Sequence, residues 1–236
     1  MSIAAFTTIC EEDTCWIDNY LKEVERLEMP FAIHLDRCSD LTKERFTRHP
    51  LCIGCTVQDN LKLEYTEQHK QGVFDILCDK GYSWGLSWDI DETYAKDAPE
   101  LLPDIEQLPF DLIDTKWINL WGDTQHIRLD GPFSTGHRIK FYRLTGGKRW
   151  KFDHPITYGC KLVAPDGTTP HDYGKVGSCM DFVCIHWGLM TPELRQLHLD
   201  RWNRIYTKAV GANPYGFWNY TVDASIEPLI VPNPYM

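Results

Sequence analysis

Residues 1–92 alternate short apolar runs with helix-spaced ones, and the apolar runs repeatedly stop at acidic residues. Ile3 to Ile9 is short, apolar and partly β-branched, which reads as a strand. From Thr14 to Leu27, Ile17, Leu21, Val24 and Leu27 recur at helical spacing, and Met29-Pro30 stops the helix. Phe31, Ile33 and Leu35 alternate into a second strand ending at Asp36, and Leu51 to Val57 reads as a third. Thr66 to Lys80 predicts a helix with Val73, Ile76 and Leu77 inward and Gly81 as its stop. Trp84, Leu86 and Trp88 then alternate into a fourth strand that runs out at Asp89. Such an order implies an α/β domain with a mostly parallel central sheet flanked by helices.

In sheets of this kind ligands bind beyond the carboxyl ends of the strands. The acidic groups fall at those ends: Glu11-Glu12, Asp36 with Asp40, and Asp89-Ile90-Asp91-Glu92. Carboxylates two residues apart in extended chain point to one side. Their oxygens are hard ligands suited to Mn²⁺ or Mg²⁺, an ion that also takes phosphate oxygens. A lone D-x-D is more often a solvated turn, and its place after the fourth strand is what raises it to a candidate site.

Composition narrows the partners. The formal charge of −10 argues against generic coating of nucleic acid or of an anionic membrane. No apolar run reaches the roughly 18–20 residues of a membrane span, and Met1 to Phe6 lacks the basic start of a signal peptide. A cytoplasmic protein is the expectation, with its nine cysteines as reduced thiols. On that reading the sequon Asn219-Tyr220-Thr221 is without consequence. A zinc site from His49, Cys52 and Cys55 is disfavoured, because residues three apart in a strand face opposite sides.

The landmarks of the first half, taken in order, resemble glycosyltransferase family 2, nucleotide-sugar enzymes of the type A (GT-A) fold. They are Cys10-Glu11-Glu12-Asp13 after the first strand and Asp36-Arg37-Cys38-Ser39-Asp40-Leu41-Thr42 after the second. Glu67-Gln68-His69-Lys70 follows on the helix, and Trp84 to Glu92 carries the D-x-D-E motif. His69-Lys70 departs from the family's usual Arg-Asn. More loosely, Arg138 to Arg143, Phe152-Asp153-His154 and Ile185-His186-Trp187-Gly188-Leu189 resemble later family motifs, with His154-Pro155 in place of a His-Glu pair.

The resemblance implies a single Rossmann-like GT-A domain. Residues 1–95 would be its nucleotide-sugar-binding half, residues 96–227 its acceptor-binding and catalytic half, and residues 228–236 an extended tail. It implies transfer of a sugar from a nucleotide-diphosphate donor to an acceptor hydroxyl, with inversion, assisted by Mn²⁺ or Mg²⁺. Glu11, Asp36, His69, Lys70, Asp89, Arg138 and Arg143 would face the donor, with Asp36 on the base. Asp89, Asp91 and His186 would hold the metal. Asp153 is the first choice for the base that takes the acceptor's proton, with Asp130 and then Asp123 behind it.

Two other readings compete. A sugar nucleotidyltransferase would carry a Gly-rich basic loop after the first strand, where this chain has Cys10-Glu11-Glu12-Asp13. A non-catalytic binding module would have no use for Asp89, Asp91 and His186 together. The acceptor is left open between glycan, small molecule and modified DNA base. The stretch 137–151 carries Arg138, Lys140, Arg143, Lys148, Arg149 and Lys151 without a carboxylate, which suits either a solvated hairpin or an anionic acceptor. Trp16, Trp84 and Trp88 are expected in the core. Trp117, Trp121, Trp150, Trp187 and Trp218 divide between core and a sugar- or base-stacking role. Thr191-Pro192-Glu193 starts a helix whose apolar side would be Leu194, Leu197, Trp202, Ile205 and Ala209, ending at Gly211.

Overall fold

The computed structural model describes residues 2–59, 66–130, 136–145, 151–153, 161–163, 175–200 and 228–235. Strand β1 (Ile3–Cys10) runs through a 3-10 turn (Glu11–Trp16) into helix α1 (Ile17–Arg26). Then come β2 (Phe31–Asp36), α2 (Asp40–Thr47), β3 (Cys52–Gln58), α3 (Thr66–Asp79) and β4 (Trp84–Ser87). These match the elements expected from the sequence to within a few residues. The second half contains β5 (Glu92–Tyr94), α4 (Ala98–Gln107), β6 (Leu112–Trp121), β7 (Asp123–Arg128) and β8 (Gly136–Arg143). It continues with β9 (Lys151–Asp153), β10 (Lys161–Val163), β11 (Val176–His186), a helix α5 over 192–200, and β12 (Ile230–Pro232).

One ten-stranded sheet organises the chain. Its main path is β12-β7-β6-β8-β4-β1-β2-β3, and β11 lies against β6 and β5. The strands β3, β2, β1 and β4 are mutually parallel. Beyond β4 the pairs turn antiparallel, except β11 with β6. The parallel order expected for the sheet therefore belongs to its first half and gives way to a mixed arrangement in the second. The tail, expected as an extended strap, supplies the edge strand β12 on β7.

Apolar packing on both faces holds this sheet. Trp84, Trp88, Tyr20, Phe31 and Phe46 fill one side, where Tyr20 and Trp88 ring centroids lie 5.0 Å apart. Phe6, Phe74 and Leu77 fill the other, under α3. Burying such rings removes on the order of 150–250 Å² each from water, which makes them the main source of stability. The eight cysteines among the described residues are free thiols, as expected.

Register sets up the site. Cys10 pairs with Asp36 across β1 and β2, and Phe6 with Ser87 across β1 and β4, so three acidic strand ends meet on one rim. After the D-x-D turn the chain leaves β4, and β5 joins β11 antiparallel with Glu92 opposite His186. Helix α1 fixes β5 from below. The buried Glu23 carboxylate accepts the Tyr94 amide at 2.8 Å, and Arg26 donates to the carbonyls of Tyr94, Ala95 and Lys96.

Candidate functional site

The D-x-D stretch is a turn rather than extended chain, because Glu92 closes it. The Asp89 amide donates to Glu92 Oε2 at 3.0 Å, the Glu92 amide to the Asp89 carbonyl at 3.1 Å, and Trp88 Nε1 to the Glu92 carbonyl at 2.9 Å. Glu92 is itself buried, receiving Lys140 Nζ on both oxygens at 2.6 Å and Trp117 Nε1 at 3.0 Å. The turn sends its two carboxylates to different partners.

Asp91 points at His186 and His198. His186 Nε2 lies 3.1 Å and His198 Nε2 3.4 Å from Asp91 Oδ2. All three donor atoms fall within 4.8 Å of one another. The other nitrogen of His186, Nδ1, is 2.8 Å from Oδ1 of the buried Asn119, its register partner on β6. A Nδ1–H donated to that oxygen leaves Nε2 as the nitrogen that meets Asp91, and as the one whose lone pair would turn to an ion when a metal replaces that contact. Burial alone would raise the Asp91 carboxyl. The two imidazoles outweigh burial, through charge and hydrogen bonding, and hold it well below the ordinary carboxylate range.

Gly188 forms the floor of this group. A Cβ built on Gly188 would sit 2.4 Å from Asp91 Oδ2, 2.5 Å from His198 Nε2 and 2.8 Å from His186 Nε2. One point in front of that glycine is thus nearly equidistant from three ligand atoms, in a space only the missing side chain leaves open. Imidazole and carboxylate bind divalent ions at about 2.0–2.2 Å, so the donor set and its spacing fit such an ion. The Trp187 amide, bonded to the Asp91 carbonyl at 2.8 Å, and Trp187 Nε1, bonded to Thr93 Oγ1 at 2.8 Å, lock this loop onto the turn.

Asp89, expected as a second ligand, is not in that group. It is half-exposed and lies 3.6 Å from Lys70 Nζ on α3. Partial burial works to raise its carboxyl, and Lys70 with Lys140 outweighs that and lowers it. Lys70 therefore stands beside Asp89 on the rim. Glu11 and Asp36 also lie there. Glu11 Oε2 accepts the amide of Ser39, the residue that caps α2 through Thr42. Asp36 is forked by its neighbour Arg37, whose Nη2 is 2.8 Å away and whose φ is 53°. The side chain of His69 lies outside the described residues.

The two arginines assigned to the donor separate. Arg138 keeps its guanidinium over the Trp117 ring at 4.9 Å, and that ring lies 4.8 Å from His186. Arg143 serves the fold instead. It donates Nε to the Phe110 carbonyl at 2.6 Å and Nη2 to the Leu108 carbonyl, and covers Trp84 at 4.3 Å. The Arg143→Met variant should lose about 2 kcal/mol of stability, roughly 4–8 °C in Tm for a chain of this size. Calorimetry with and without nucleotide checks it: the loss should be the same in both, since no ligand contact is removed.

The candidate bases separate as well. Asp130 is engaged by Arg128 Nε and Nη2 at 2.7 Å each and by the Leu229 amide at 2.9 Å. The Arg128 hydrogen bonds outweigh burial and hold Asp130 low, which makes it a weak proton acceptor. Asp123 is exposed and bonded to His126 and the Gln125 amide. Asp153 has its backbone in β9, and its side chain, like His154, Lys148, Arg149, Trp150 and Trp218, lies outside the described residues.

Helix α5 starts as expected, with Thr191 Oγ1 accepting the Leu194 amide at 3.3 Å. Its inward face differs: Leu197 is 42% exposed, while Leu194, Arg195, His198 and Leu199 turn toward the sheet. Reading Leu197 as inward hides His198. The signal for it is the spacing 191, 194, 195, 198, which places His198 on the capped face one helical turn beyond Leu194. The remainder of that expected apolar side, through Gly211, and Asn219 lie outside the described residues.

Among solved structures, the chain is similar to S. aureus TarS 1-349 in complex with UDP-GlcNAc, with a TM-score of 0.51 at 9% identity. The alignment covers 94% of this chain and 70% of that one. HddC from Yersinia pseudotuberculosis aligns over 85% of this chain and 99% of its own, at 11% identity and a TM-score of 0.46. The likeness shows a GT-A-like, Rossmann-type nucleotide-sugar transferase fold. No family model matches the chain, and no curated protein does. No helix among the described residues is long and apolar enough to cross a membrane.

Proposed function

We propose that the protein is a glycosyltransferase that moves a sugar from a nucleotide-diphosphate donor to an acceptor hydroxyl, with inversion. The observation that carries this is the meeting of Asp91 and His186, with Gly188 leaving the space between them clear, on the acidic rim of a GT-A-like fold. The TarS likeness supports a uridine diphosphate sugar as the first donor to try, since that protein is seen with UDP-GlcNAc.

Asp91 and His186 would hold a divalent ion, which when bound neutralises charge on the leaving diphosphate. Asn119 fixes the His186 tautomer. Lys70 and Arg138 offer cations to the phosphate oxygens, where charge-assisted hydrogen bonds are strong. Asp36 and Glu11 lie toward the nucleoside. The acceptor oxygen attacks the anomeric carbon as the carbon–diphosphate bond breaks, and Asp153 takes the hydroxyl proton. A soluble acceptor, reached in the cytoplasm, suits this reading.

Thermal unfolding with UDP, GDP, CDP and TDP, each with and without Mn²⁺, tests it. One diphosphate at 100 times its Kd should stabilise by about 2.7 kcal/mol, and only when the ion is present. Asp91→Ala should keep its fold and lose that shift together with turnover of the donor. If no nucleotide moves the melting point, the donor site is not there.

A further inference from the structure

Helix α5 brings a second imidazole to the Asp91–His186 pair, and nothing in the D-x-D turn or in β11 requires it. His198 stands on a different element from either partner, yet its Nε2 is 3.4 Å from the same Asp91 oxygen that His186 meets at 3.1 Å. Three atoms bound to one ion at about 2.1 Å lie roughly 3–3.5 Å from one another; the two distances to Asp91 fall in that interval, and the two imidazole nitrogens lie within 4.8 Å of each other.

The placement of α5 is built, not incidental. Arg195, one turn before His198, lays its guanidinium over the Trp121 ring at 4.1 Å and donates Nη1 to the carbonyls of Leu189 and Met190, both at 3.0 Å. Those carbonyls belong to the loop that carries Gly188. The Gly122 amide holds the same loop by bonding to the Met190 carbonyl at 2.7 Å. The floor of the cradle and the helix bearing His198 are thus tied to each other and to the end of β6.

Ligand type then decides which ion fits. Carboxylate and water oxygens suit Mg²⁺, whereas imidazole nitrogen favours borderline transition metals, with affinity rising from Mn²⁺ through Co²⁺. Resting on the transferase reading above, we infer that His198 is a third protein ligand and that the resulting two-imidazole, one-carboxylate site selects Mn²⁺ or Co²⁺ over Mg²⁺. The ion would also staple α5 to the sheet, so the helix would become more protected when the metal is bound.

Direct metal binding by the full chain, without donor turnover, tests this. Calorimetric titration of the wild type should give Mn²⁺ and Co²⁺ affinities at least about 100-fold above that for Mg²⁺. Pulsed EPR of the Mn²⁺-loaded protein should show two coupled imidazole nitrogens, and hydrogen exchange across 192–200 should slow on loading. His198→Ala should weaken Mn²⁺ by about tenfold or more and leave one coupled nitrogen. His198→Asp, which keeps a ligand, should narrow the preference for Mn²⁺ over Mg²⁺. Equal Mn²⁺ and Mg²⁺ affinity in the wild type, or two nitrogens surviving in His198→Ala, would overturn the inference. In either case an ion-dependent nucleotide shift in the wild type would leave the transferase standing. A wild type that binds no divalent ion even with nucleotide removes both.

Discussion

Replacing Gly188 with alanine is expected to lower divalent-ion affinity, and ion-dependent donor binding with it, by about 100-fold or more, while the protein stays folded. The added methyl would lie 2.4–2.8 Å from three ligand atoms, in the space an ion would take. All three ligands remain in the chain, so the variant removes the space and not the chemistry. The backbone permits the change, because the left-handed glycines among the described residues are Gly81 and Gly122 and not Gly188. The stability cost is then that of pushing aside the ends of the Asp91, His186 and His198 side chains, about 1–3 kcal/mol for overpacking of this size. Mn²⁺ titration followed by thermal unfolding checks it. A Gly188→Ala protein that still gains stability from Mn²⁺ would place the ion elsewhere and detach the three side chains from the proposed reaction.

Gly188 also shows where sequence reading stops. The strands, helices and acidic strand ends of residues 1–92 were legible because period and punctuation are local properties, and β1 to β4 with α1 to α3 obey them. The meeting of Asp91 with His186 needs β5 to leave the parallel set and pair with β11 across more than ninety residues. Order of motifs alone carried that far, through the resemblance. His198 was hidden because burial of α5 follows the face that Arg195 and Trp121 select, not the leucine count. The roles of Arg143 and Asp130 were invisible for a related reason. The sequence offers Arg143 as a donor contact and Asp130 as a base, while the fold uses them to satisfy the carbonyls of Leu108 and Phe110 and the buried guanidinium of Arg128. A charge in a sequence gives its chemistry and not its partner.

Lys140→Met is the second large effect expected, a loss of about 3–5 kcal/mol from leaving the Glu92 carboxylate buried without its cation. Lys140 and Glu92 are 5% and 2% exposed, and the ammonium reaches both carboxylate oxygens at 2.6 Å. Burial pushes the Lys140 amine down, and the charge of Glu92, helped by that of Asp89, drives it above its ordinary value. A group raised on folding adds stability that is complete below its unfolded pKa, about 10.4 for lysine, and is lost progressively from there as pH climbs through the higher folded value. The deficit of Lys140→Met should therefore be flat from pH 6 to 9 and shrink above about pH 10. Adding Glu92→Leu removes the stranded charge and should restore most of the stability, since buried pairs replaced by apolar groups are often neutral. It should not restore function. Glu92 also receives the Asp89 amide and Trp117 Nε1, and without them the turn that aims Asp91 at His186 loses its closure. Urea unfolding beside Mn²⁺-dependent nucleotide binding separates the two roles: recovery of stability without recovery of binding assigns Glu92 to positioning, and recovery of both confines it to the core.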